Sequence, residues 1–130
     1  MAMNDTLAVA LSNLLNAERI GRKDCLVHPI SKVTKAVLDI MNKEGYIGSY
    51  EETDDGKGGI LKINLLGAVN KCGVVKPRFS VKKEGYEKFE KRYLPAQDFG
   101  LIIVSTPKGI MTHMEAKEKG LGGRLLAYIY

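Results

Sequence analysis

The spacing of apolar residues changes period several times along the chain. From Asn4 to about Ile20 it follows a helix. Leu7, Leu11, Leu14 and Leu15 share one face, with Ala8 beside them. Asn4, Asp5 or Thr6 can cap that helix, and Gly21 ends it. Cys25–His28 is short, partly β-branched and closed by Pro29, which predicts a strand. Helical spacing returns at Ser31, with Val33, Val37, Ile40 and Met41 as the apolar stripe and Gly45 as the stop. Tyr46–Glu52 predicts a strand, Thr53–Gly59 a glycine-rich turn, and the alternation of Ile60–Leu66 a second strand.

The pattern then shifts toward sheet. Gly67–Pro77 reads as a connector holding one short strand, and Arg78–Val81 as strand-like. Lys83–Pro95 predicts a short charged helix, weakened by Gly85 and ended by Pro95. Phe99–Thr106 and Gly109–Thr112 flank a turn. Thr112 and Glu115 have the spacing of a capping box, which predicts a helix over His113–Lys119. Gly122–Tyr130 predicts a closing strand. The fold class expected is α+β: two small α/β subdomains in close contact, over 1–68 and 69–130. The first is helix-strand-helix-hairpin. The second is mostly antiparallel sheet with short helices.

Composition narrows the class. A chain of 130 residues with 45% apolar content suits a globular protein of this size. No apolar run nears the roughly 18 residues that span a bilayer, and the N-terminus lacks the basic region of a signal peptide. Cys25 and Cys72 form no CxxC pair, so they are expected to be half-buried free thiols. Charge changes the picture more. Residues 1–66 carry eight basic against nine acidic side chains, and residues 67–130 carry twelve against six. The whole positive excess lies in the second half, which suggests either a polyanion partner or a basic solubility surface.

Candidate chemistry is sparse. The glycines of "DDGKGG" lie between two strands, without the strand-to-helix context of a phosphate loop. Ser105, His113 and Asp98 supply the types of a hydrolase triad, but Ser105 is not in a G-x-S-x-G elbow. A small serine hydrolase using Ser105 and His113 is the alternative from another class; a protein-interaction module on the neutral first half is a second. No spacing resembles a metal site, and no cofactor is expected.

The remaining signal is "STPKG" at the end of the apolar run "FGLIIV". Ser105 and Thr106 offer hydroxyls to 2′-hydroxyls and phosphates. Pro107 stiffens the turn, Lys108 supplies charge, and Gly109 lets backbone approach a ligand. These residues taken alone fit a plain surface turn equally well. Lys71, Lys76, Arg78, Lys82, Lys83 and Arg124 are interleaved with Phe79, Tyr86, Phe89, Tyr93, Tyr128 and Tyr130. Some of these rings must fill the core, so they do not count here as base-stacking platforms.

"STPKGIMTHMEAKEKGLGGRLLAYIY" (Ser105–Tyr130) resembles the C-terminal signature of the family of protein eight of the small ribosomal subunit. Asn70–Gly109, with "FEKRYLPAQDFG", resembles the archaeal and eukaryotic type of that family, and "DTLAVALSNLLNAERIGR" with "PISKVTKAVLDIMNKEGYIGSYE" its first domain. The resemblance implies a cytoplasmic, non-enzymatic primary rRNA binder. Such a protein docks on an irregular helix of the central domain of small-subunit rRNA and aids assembly. Neighbouring small-subunit proteins and its own operon mRNA are further implied partners, with no membrane and a monomer when free.

By position, the resemblance implies that Ser105 and Thr106 bond the distorted RNA core. Pro107, Lys108 and Gly109 would support that loop. Gly122 and Gly123 would allow close approach of the last strand, while Arg78, Ser80 and Lys82 would line the same face. Asn13, Asn16, Ser31 and Lys32 would contact a second rRNA segment. Met114, Ser80 and Ala68 depart from residue types frequent in relatives.

Overall fold

In the computed structural model, the residues described are 6–27, 32–53, 56, 59–75, 79–82, 84–95 and 99–130. The chain separates into two compact units, Met1–Asn70 and Lys71–Tyr130. The combination of helices with two antiparallel sheets is α+β, as the sequence pattern predicts.

The first unit holds α1 (Thr6–Arg19), β1 (Asp24–Val27), α2 (Lys32–Lys43), β2 (Ile47–Thr53) and β3 (Ile60–Leu65). The strands form an antiparallel sheet in the order β1-β3-β2. β3 is central and buries Leu61, Ile63 and Leu65 on alternate positions, while Lys62 and Asn64 face solvent. Fully burying an Ile such as Ile63 contributes roughly 1.5–3 kcal/mol.

Leu7, Leu11 and Leu14 of α1 and Val37 and Met41 of α2 are buried as expected, but the edges of each stripe differ. α1 buries Leu7, Ala10, Leu11, Leu14 and Ala17, with Ala8 and Leu15 at the edges. α2 buries Thr34, Val37, Leu38 and Met41, and Val33 and Ile40 are only partly covered. Summed hydrophobicity favoured the larger residues. Packing against the sheet instead selects small alanines and a threonine that let each helix sit close. Tyr50 on β2 donates to Asp39 on α2 at 2.5 Å, tying strand to helix; the carboxylate pushes the phenol up to about 12.

The second unit holds β4 (Cys72–Val74), β5 (Ser80–Val81), α3 (Tyr86–Tyr93), β6 (Leu101–Thr106), β7 (Gly109–Thr112), α4 (His113–Lys119) and β8 (Gly123–Ile129). Its sheet runs β4-β8-β6-β7, with β5 also pairing β8. All pairings are antiparallel. β4 and β5 thus share one edge of β8: β4 lies against residues 127–129 and β5 against residues 123 and 124.

The expected helix over Lys83–Pro95 is shorter. Gly85 sits at its N-cap and Leu94, extended, at its C-cap, so only Tyr86–Tyr93 is helical. Its core face meets Val75, Val81, Ile102, Val104, Met111, Ala116 and Leu125 through Tyr86 and Phe89. α4 begins and ends where the sequence pattern places it. Thr112 Oγ1 accepts from Glu115 N at 3.2 Å, and Gly120 turns left-handed at φ 68° while Leu121 N reaches back to Ala116 O. Cys25 and Cys72 are not in a disulfide, and both are buried rather than half-buried. Burial pushes the Cys25 thiol up.

Candidate nucleic-acid interface

The hairpin β6–β7 is closed by Pro107 and Lys108, with Thr106 directly opposite Gly109. Proline fixes φ at the first turn position, and Gly109, at φ 122°, takes a backbone conformation that side chains disfavour. Thr106 holds the turn from within. Its hydroxyl donates to Gly109 O at 2.7 Å and accepts from Lys108 N at 3.2 Å. Its side chain is buried. Ser105 differs: it is half-buried, and its hydroxyl makes no hydrogen bond to any of the described residues.

The strand register then assembles the site. Ser105 pairs with Arg124 on β8, and Arg124 pairs with Ser80 on β5. Paired residues share a face of a sheet. Ser80, Arg124 and Ser105 therefore form a row across three strands, a guanidinium flanked by two hydroxyls. The row borders an open hollow of about 470 Å³, which Lys82, Thr106, Pro107, Gly122 and Gly123 also line. Lys108 and Gly109 lie on the same turn, exposed.

Gly122 and Gly123 are required by packing. A Cβ on Gly123 would strike the carbonyl of Ser105, and one on Gly122 the carbonyl of Val81. Without side chains, β8 closes in on β5 and β6, and the hollow has backbone as its floor. Tyr86, fully buried, donates its hydroxyl to Leu121 O at 2.8 Å and fixes the segment leading into these glycines. α4 is the spacer that returns the chain from β7 to that segment.

The other expected site residues are distributed as follows. Asn13 and Asn16 lie together on the exposed side of α1 and line a hollow of about 260 Å³ in the first unit, with Arg22, Asp24 and Leu26. Lys32 is exposed at the first residue of α2. Ser31 and Arg78 lie outside the described residues, as do His28 and Asp98. Arg124 is the residue whose place the sequence reading missed. It was recognisable as basic, but its position between two serines follows from register.

His113 is engaged elsewhere. It is 1% exposed. Its Nδ1 accepts from Ile102 N at 3.0 Å, so Nε2 carries the proton and faces Glu90 Oε1 at 2.8 Å. Lys117 Nζ meets the same carboxylate oxygen at 2.6 Å. Burial lowers the His113 pKa, and Lys117 adds to the shift against the opposing pull of Glu90. With both ring nitrogens occupied, His113 has no atom to serve Ser105 as a base, which removes the geometry that the hydrolase alternative needs. Among the described residues, no group of three His, Cys, Asp or Glu side chains could hold a metal ion. No described helix is long and apolar enough to cross a membrane.

A basic sheet unit carrying a rigid hydroxyl turn beside a guanidinium belongs to the class of α+β RNA-binding proteins. The comparison with known families makes this specific. The family model for ribosomal protein S8 matches residues 5–130, and the chain belongs to that family. It is accordingly a small-subunit ribosomal protein that binds rRNA, from a structural rather than an enzymatic family, working in the cytoplasmic small subunit.

Proposed function

We propose that the hollow around Ser105 reads an irregular helix in the central domain of small-subunit rRNA, and that this contact helps the subunit assemble. The observation that carries the reading is the Ser80–Arg124–Ser105 row, held beside a turn whose own hydrogen bonds are satisfied by Thr106. The loop is ordered before RNA arrives, so little entropy is lost on binding. Ser105 supplies a hydroxyl for a 2′-hydroxyl, base edge or phosphate in the distorted groove. Thr106 and Pro107 keep it in place, and Gly122 and Gly123 leave the backbone floor open to close approach. Arg124, Lys82 and Lys108 supply salt-dependent attraction, joined by Ser80 on that face, and the family resemblance adds the charge of Arg78.

Asn13, Asn16, Ser31 and Lys32 of the first unit contact the backbone of a second rRNA segment. Units bounded at 1–68 and 69–130 divide these tasks, the second making most of the specific contacts. The free protein is a monomer that meets neighbouring small-subunit proteins on the RNA. An mRNA segment of its own operon that copies the irregular helix would be bound by the same surface.

The test is a gel-shift titration against that central-domain helix, with a regular duplex of equal length as control, at low and moderate salt. Shape readout predicts tight binding to the irregular RNA that persists at moderate salt, with weak duplex binding. Equal affinity for both, lost steeply with salt, would reduce the surface to a basic patch.

A further inference from the structure

A second hollow, of about 370 Å³, lies at the far end of β8 from Arg124, and its rim carries Lys71, Arg92, Tyr93, Pro95, Tyr128 and Tyr130. Three tyrosines form a ladder there. Tyr93 and Tyr128 stack at 5.2 Å with 30° between their planes, and Tyr128 and Tyr130 at 6.5 Å with 24°. All three are only partly buried, so the ladder is not sealed into the core.

Its placement is built in. Tyr128 lies opposite Gly73 on β4, where a Cβ would come within 3.0 Å of the phenol oxygen and 3.2 Å of the ring. Glycine is what lets the ring lie down on its neighbour strand. Tyr130 exchanges two backbone hydrogen bonds with Lys71, both 2.9 Å, which sets the lysine across from the ladder's end. Arg92 rests over Tyr93 at 5.4 Å and over Phe79 at 5.3 Å. Lys71 and Arg92 are exposed, and neither is ion-paired with a described residue. No carboxylate side chain of the described residues lines the hollow.

Partly exposed tyrosine rings beside cations that no described residue ion-pairs match the two ends of an unpaired nucleotide: a base that stacks and a phosphate that needs charge. A regular duplex hides its base faces, and an acidic peptide would leave the rings unused. We propose that this hollow is a second RNA subsite, taking a single-stranded nucleotide on the Tyr93–Tyr128–Tyr130 ladder with its phosphate on Lys71 and Arg92. Tyr128 pairs with Ile102 and Arg124 with Ser105, three residues apart on β6, so the two hollows lie on opposite faces of the sheet. The inference rests on the RNA-binding reading, and its test separates the two sites.

The chain has six tyrosines and no tryptophan, and three of the six form the ladder, so quenching of tyrosine emission that Tyr130→Leu diminishes reports on it. The full-length protein is titrated with hexa-adenylate RNA at low salt. Emission should be quenched on binding. Tyr130→Leu should weaken binding about tenfold, and Lys71→Glu, a change at an exposed position that should leave folding intact, should weaken it several-fold or more. Ser105→Ala should leave hexamer binding within about twofold, whatever it does to binding of the irregular helix. Four results would overturn the proposal: no quenching, wild-type affinity in both ladder variants, loss of hexamer binding in Ser105→Ala, or displacement of the hexamer by an equal concentration of hexaglutamate.

Discussion

Glycines turn the chain in both units, at Gly109 and Gly120 in the second as in the first, but the tightest glycine packing lies in the second. In the first, Gly21, Gly45, Gly56 and Gly67 all have positive φ, and a Cβ at any of them would meet nothing within 4 Å. They turn the chain. In the second, Gly122 and Gly123 would drive a Cβ into the backbone of Val81 and Ser105, and Gly73 into Tyr128. They bring strands and rings together. The first unit is near charge neutrality while the second carries the excess of lysine and arginine. A turning glycine shapes an edge; a packing glycine shapes a surface. The second unit therefore offers the backbone-floored hollow, and its strand register brings charge to the rim.

The largest test of this contrast is a matched pair. Gly123→Val should cost about 3 kcal/mol or more in urea unfolding, because the added atoms collide with backbone that cannot move alone. Gly45→Ala should cost only about 1 kcal/mol, the strain of φ 83° in otherwise open space. Equal costs would break the distinction.

Ser105→Ala and Thr106→Val sharpen it within the turn. Removing the open hydroxyl of Ser105 should weaken binding to the irregular helix by roughly 1–2 kcal/mol with an unchanged melting temperature. Thr106→Val should cost roughly 1 kcal/mol of stability as well as affinity, since its hydroxyl bonds the turn on both sides. A Ser105→Ala protein that melts lower would place that hydroxyl in the scaffold instead.

Buried His113 adds a pH dependence to the second unit. Its folded pKa lies below the usual 6.5, so the unfolded chain binds the proton more readily. Stability from this group is complete above about pH 6.5 and falls as pH drops through 6.5 toward the folded value. Urea midpoints measured from pH 7.5 to pH 5 should decline, and His113→Gln should flatten that decline. A midpoint that rises on acidification would reverse the assigned protonation state.

Charge effects come next. Arg124→Gln should lower the slope of log affinity against log salt by about 0.7–0.9 if it meets one phosphate. The smallest effect belongs to the first unit: Lys35→Ala, which removes a 2.8 Å pair with Glu52 between exposed side chains, should change stability by less than about 1 kcal/mol. A larger loss would show the neutral unit relying on charge more than its burial suggests.

The limits of α4 and the turn at Gly120 were legible because capping is local: Thr112, Glu115 and Gly120 lie within one short helix. The centres of the α1 and α2 stripes were legible and their edges were not, since the width of the face a helix buries depends on the sheet it meets. Ala10, Ala17 and Thr34 are core residues for reasons of fit that their own hydrophobicity does not announce.

The site divides in the same way. The sequence by itself determined the hydroxyl-proline-lysine-glycine turn, the basic second half and the family, since these depend on residue type and order along the chain. Tertiary structure decided which hydroxyl is open, that Arg124 stands between Ser80 and Ser105, and that His113 faces Glu90. For the row, the physical reason is the register of β8 against β5 and β6, which includes a shift between Ile103 and Val104; for His113, it is the packing of α4 and α3 within the second unit. A slip of one residue in that register would move every side chain to the other face, and no local pattern in the chain records that alignment.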